Sequence, residues 1–159
     1  MIKTGWWRAC FLLMIMVAAP SFLHADPRQE EWYTTASGDY SVRESLYGNL
    51  YATIYNSKGG KALIYLEQHS PKHCRENGER TILHDPLYAN GTLVKFSQHC
   101  RGEWNLFFAT TEAGSEYLLN QFKRSRSVEV KTLDGQVTIF SAVGFLEHYR
   151  KFSMIEEAL

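Results

Sequence analysis

The stretch TLVKFSQHCRGEWNLFFATT, residues 92–111, decides the fold of this chain. Val94, Phe96 and Cys100 alternate with Lys95, Ser97 and His99, the period-2 pattern of a half-buried strand. Arg101-Gly102-Glu103 then supplies a residue able to take positive φ, as a tight hairpin requires. Trp104 to Thr111 returns as a second strand, and its adjacent Phe107 and Phe108 imply cover on both faces. A strand of that kind belongs in the middle of a sheet.

Upstream, Leu46 to Tyr55 (LYGNLYATIY) is expected to be one alternating strand. Leu46, Leu50, Ala52 and Ile54 then face one way, and Tyr47, Tyr51 and Tyr55 the other. Across the glycine-rich turn Asn56 to Gly60, the segment Lys61 to His69 completes a second hairpin, adding Tyr65. Trp32 to Ala36 has strand composition before a Ser37-Gly38-Asp39 turn. Ser70 to Arg80 (SPKHCRENGER) is expected to be an irregular polar loop around Cys74, and Thr81 to Leu83 a short strand. Asp85-Pro86 and Asn90-Gly91 mark turns.

Beyond the central hairpin the period becomes helical. Leu118, Leu119 and Phe122 define a helix with Thr111 or Ser115 as N-cap, and Lys123, Arg124 and Arg126 compensate its dipole. Val128 to Thr132, Asp134-Gly135 and Val137 to Ser141 form a third hairpin. Gly144 to Phe152 is a last helix with Phe145, Tyr149 and Phe152 on one face, and Ser153 to Leu159 a loose tail. The fold class is therefore mainly β with two helices in the C-terminal half (α+β). Six to eight strands are expected, as an antiparallel β-sandwich or a strongly bent sheet with helical cover.

Residues 1–25 carry the three parts of a cleaved signal peptide: Lys3 and Arg8, the apolar run Phe11 to Ala19, and Leu23-His24-Ala25 before Asp26. The apolar run is shorter than a membrane span. Cys10 precedes it, so no lipid anchor is expected. Residues 26–159 form one β-rich domain with 15 basic and 17 acidic residues, a net charge of −2. That balance gives no expectation of nucleic acid or of an anionic membrane as partner. The two remaining cysteines, Cys74 and Cys100, are expected to form a disulfide in an exported protein. Asn90-Gly91-Thr92 is a glycosylation acceptor only in a eukaryotic secretory route.

The chain contains no G-x-S-x-G elbow, no H-E-x-x-H, no phosphate-binding glycine loop and no C-x-x-C. No catalytic residue and no cofactor are assigned. Tyr47, Tyr51, Tyr55 and Tyr65 form one candidate binding surface, because tyrosine gives large amphipathic contact area at low entropic cost. The disulfide-tethered loop with Lys72 and His73 is another. His69, His73 and His99, gathered near one bridge, are a candidate metal set.

The order of features after Cys100 resembles the C-terminal half of the invasion-associated locus B family. These features are a cysteine closing a strand, the helix from Tyr117 to Arg124, the charged hairpin Val128 to Ser141 and the Gly144-Phe145 helix. Members of that family usually place a second glycine-cysteine pair after this point, and this chain has none. The resemblance implies a small exported bacterial protein with a β-sandwich-like fold and no established enzymatic activity, and it supplies no functional residue. The expected function is a periplasmic or secreted binding domain with an envelope or host protein as partner. A narrower alternative is an inhibitor of a cell-wall hydrolase of the lysozyme-inhibitor type, and a different one is a metal-handling or hydrolytic protein using the histidines.

Overall fold

The computed structural model describes residues 31–57 and 59–157, the side chains of 155–157 excepted. The signal-peptide expectation for residues 1–25 lies outside them. Among the described residues nine strands and three helices follow in chain order. They are β1 (Tyr33–Thr34), β2 (Tyr40–Arg43), β3 (Leu50–Asn56), β4 (Ala62–His69), α1 (Pro71–Asn77), β5 (Thr81–Ala89), β6 (Thr92–Arg101), β7 (Trp104–Ala109), α2 (Glu112–Arg124), β8 (Ser127–Lys131), β9 (Val137–Ser141) and α3 (Phe145–Glu157). All pairings are antiparallel, in one sheet of order β1-β2-β3-β4-β7-β6-β5-β8-β9. Strand β7, the return strand of the 92–111 hairpin, stands in the middle.

The sheet is not a sandwich. It is one strongly curled half-barrel under helical cover. Curling brings its ends together at one corner, where Glu44 bridges Phe140 and the Ser45 amide donates to the Ile139 carbonyl at 2.9 Å. Trp32 closes the same corner, its amide donating to Val143 O at 3.0 Å and its indole Nε1 to Ser141 O at 2.9 Å. The covered face carries Val42, Ile54, Phe96, Val128 and Phe140, packed against Leu118 and Phe122 of α2 and Phe145 of α3. Each such side chain contributes about 1.5–3 kcal/mol on leaving water. Trp32, Phe140 and Phe145 surround Phe122 with ring centroids 5.4–6.4 Å away.

Local chemistry explains the joints. Asn90 (φ 44°) and Gly91 (φ 81°) are both left-handed, as a two-residue hairpin of right-handed twist demands. Asn90 also accepts from the Glu129 amide and donates to Gln121, so the turn ties β8 and α2 to the β5–β6 hairpin. The α2 N-cap is Thr111, whose hydroxyl accepts from the Gly114 amide at 3.1 Å. Lys123 and Arg124 sit in its last turn.

Several sequence expectations are corrected. Strand β3 begins at Leu50, because residues 45–49 wrap instead around the buried Glu44 carboxylate. That group accepts from the Leu46, Tyr47 and Asn49 amides at 2.7–3.1 Å. The strand β2 that leads into this anchor was not expected from the sequence. Within Ser70–Arg80 the helix α1 forms, with Pro71 in its first turn, where a missing N–H costs nothing. Asp85-Pro86 is not a turn but an irregularity inside β5, between His84 and Leu87. The strand expected over Trp32 to Ala36 spans only Tyr33–Thr34, and α3 runs through Ser153 to Glu157 where a loose tail was expected.

Candidate functional site

The face of the sheet away from α2 and α3 carries the side chains that alternate with the core. From β3 these are Tyr51, Thr53 and Tyr55, from β4 Tyr65, Glu67 and His69, from β7 Trp104 and Phe108, and from β6 His99 and Arg101. An open cleft of about 330 Å³ lies on this outer face. One wall is the β1–β2 turn, with Thr35, Ser37 and Asp39, and the other is Arg101 and Trp104. Its size is at the lower end of small-ligand sites, roughly 300–1,000 Å³.

The floor is a chain of hydroxyls ending in a carboxylate. Ser41 Oγ lies 3.0 Å from Thr53 Oγ1, which donates to Glu67 Oε2 at 3.2 Å. Glu67 Oε1 is buried without a hydrogen-bond partner, and Arg101 Nη2 stands 3.8 Å from it. Burial pushes the Glu67 carboxyl above its ordinary value, against the opposing pull of Tyr55, Thr53 and Arg101. Arg101 Nη2 donates to the Tyr55 hydroxyl at 2.5 Å, and its guanidinium carbon lies 4.8 Å from the Tyr55 ring centre. The Tyr55 hydroxyl is itself raised, first by burial and then by Glu67.

Aromatic rings frame this polar floor. Trp104, 38% exposed, meets Tyr51 edge to face at 5.9 Å and His69 at 5.2 Å. Tyr55 meets Tyr65 at 5.2 Å, and Tyr65 meets Phe108 at 5.1 Å. Of the four tyrosines expected to form a surface, Tyr51, Tyr55 and Tyr65 lie together on this face. Tyr47 is not part of it, being 76% exposed on the 45–49 loop.

The tethered segment lies elsewhere. Cys74 is bonded to Cys100, whose side chain points to the covered face while its neighbours His99 and Arg101 point outward. Helix α1 with Lys72 and His73 therefore sits on the side opposite the tyrosines. The histidines have separate partners as well. His69 contacts Glu103 at 3.2 Å, His73 contacts Asn77 at 3.3 Å and His99 contacts Thr81 at 3.4 Å. Among the described residues no group of three or more His, Cys, Asp or Glu side chains is placed to hold a metal ion.

Sequence reasoning missed Asp39, Glu67, Arg101 and Trp104. Glu67 was legible as the charged residue alternating with Tyr65 in β4. The meeting of β1–β2 with β6 across the three strands between them has no local signal. Compared with known proteins, the chain matches no family model, no curated protein and no solved structure.

Proposed function

We propose that this protein is a small periplasmic or secreted, non-enzymatic binding domain that engages an envelope or host protein through the outer-face cleft. The observation that carries this reading is the grouping of Tyr51, Tyr55, Arg101 and a partly exposed Trp104 around one depression. Tryptophan, tyrosine and arginine are the residue types that dominate binding energy at protein interfaces. Cross-strand ring contacts hold these side chains in place, so little rotamer entropy remains to be lost on binding. The Cys74–Cys100 bridge supports an oxidising compartment. Among the described residues no helix is long and apolar enough to cross a membrane.

Inhibition of a cell-wall hydrolase is the narrower form of the same reading, with the cleft rather than the tethered segment as the contact. The kinship with invasion-associated locus B proteins stands as part of the proposal and contributes no residue to the site. A photo-crosslinking amino acid placed at Tyr51 or Trp104, in cells of the source organism, tests the reading. A discrete protein adduct from these positions, absent when the probe replaces the distant exposed Leu93, is expected. Equal labelling from all three positions, or none from the cleft, would refute it.

A further inference from the structure

The cleft has an imbalance of charge that names the chemistry of its partner. Its two carboxylates, Glu67 and Asp39, face a single guanidinium, that of Arg101. Arg101 stands 3.8 Å from Glu67 and also feels the charge of Asp39 from farther off. Among the described residues no cation lies within ion-pair distance of Asp39, which accepts only from the Ser37 hydroxyl at 2.7 Å. The rings alongside already attract cations. Arg101 lies over Tyr55, and the Arg43 guanidinium carbon is 5.9 Å from the Tyr51 ring centre while its Nε is committed to the Gly48 carbonyl. The same cleft is also lined, on its opposite walls, by the Asp39 carboxylate and the accessible indole of Trp104. A cleft lined by both a carboxylate and aromatic rings is the kind that holds ammonium and guanidinium groups.

We infer that the cleft receives a basic side chain, lysine or arginine, presented by the protein partner between Asp39 and Trp104. This rests on the outer face being the binding surface and adds the chemical class of what enters it. Arg101 is then the chain's own cation in part of the site, and a ligand cation competes with it for Glu67. The two resident groups have opposite effects. Removing Asp39 weakens binding, whereas removing Arg101 strengthens it.

The test is a titration of the ¹⁵N-labelled protein with Nα-acetyl-lysine methylamide and Nα-acetyl-arginine methylamide. The norleucine and aspartate analogues serve as neutral and anionic controls. Saturable shifts at the Trp104 indole N–H and the Asp39 amide are expected with the two cations alone. Asp39→Asn weakens them roughly fivefold, the scale of one exposed ion pair. Arg101→Gln tightens them, and Trp104→Leu removes the shift at the Asp39 amide. Unchanged melting of Asp39→Asn excludes a folding effect. The inference is overturned if norleucine shifts the cleft as strongly, or if the aspartate analogue binds and Arg101→Gln abolishes it. It is also overturned if neither cation moves Trp104. Where crosslinked partner is nevertheless captured from Tyr51, the binding face stands and only its preference for a cation is wrong.

Discussion

Arg101, at the end of β6, reaches across the outer face to the hydroxyl of Tyr55 on β3, at 2.5 Å, although β7 and β4 lie between their strands. The contact ties the central hairpin to the β3–β4 hairpin from the side opposite the core. It rests partly on a cation over a ring and partly on a hydrogen bond to a charged donor, each worth about 0.5–2 kcal/mol in a half-buried setting. Replacement of Tyr55 by phenylalanine keeps the ring and removes the acceptor. A loss of about 1 kcal/mol in urea unfolding is expected.

Glu67 gives the same site a pH dependence. Its folded carboxyl is raised above 4.5, chiefly by burial, so the folded state holds the proton more tightly than the unfolded chain. The associated stability is present in full below 4.5 and is lost as pH rises through the folded value. Melting temperature is therefore expected to fall over the interval above 4.5. In Glu67→Gln that part of the slope disappears.

The Cys74–Cys100 bridge joins positions 26 residues apart. In the chain-entropy model a loop of that length contributes about 3.5 kcal/mol. Replacing both cysteines by serine is expected to lower the unfolding free energy by about that amount. Because the bridge lies on the covered side, near-ultraviolet signals of Tyr51 and Trp104 should stay unchanged in the variant at low denaturant.

Glu44 is fully buried, with both carboxylate oxygens engaged by backbone amides of the loop that follows it. A glutamine offers one acceptor oxygen and an NH₂ that cannot accept from an amide. Glu44→Gln is expected to cost about 2 kcal/mol and to speed hydrogen exchange at Leu46, Tyr47 and Asn49. Protection left intact at these three amides would show that the carboxylate does not hold the loop.

Phe122 is enclosed by three rings at the junction of α2, α3 and the sheet. Phe122→Ala is expected to cost about 4 kcal/mol by urea unfolding, from lost burial and the cavity left behind.

The amino-acid sequence by itself determined the central hairpin, the Asn90-Gly91 and Asp134-Gly135 turns, the disulfide partners and the two late helices. Each is set by interactions between near neighbours, or by there being only two cysteines left to pair. It also placed Tyr51, Tyr55 and Tyr65 on one face, since alternation fixes that directly. Leu46 and Tyr47 continue the same alternation, yet leave the strand because a buried carboxylate offers their amides stronger acceptors than a neighbouring strand does. Helix α1 was hidden by a polar composition that tertiary tethering overrides. Only the tertiary structure decided that β2 and β9 meet, that the sheet curls rather than splits into a sandwich, and that Asp39, Glu67, Arg101 and Trp104 share one cleft. Those outcomes depend on the summed twist of nine strands around one aromatic core, a quantity that no single segment of the chain encodes.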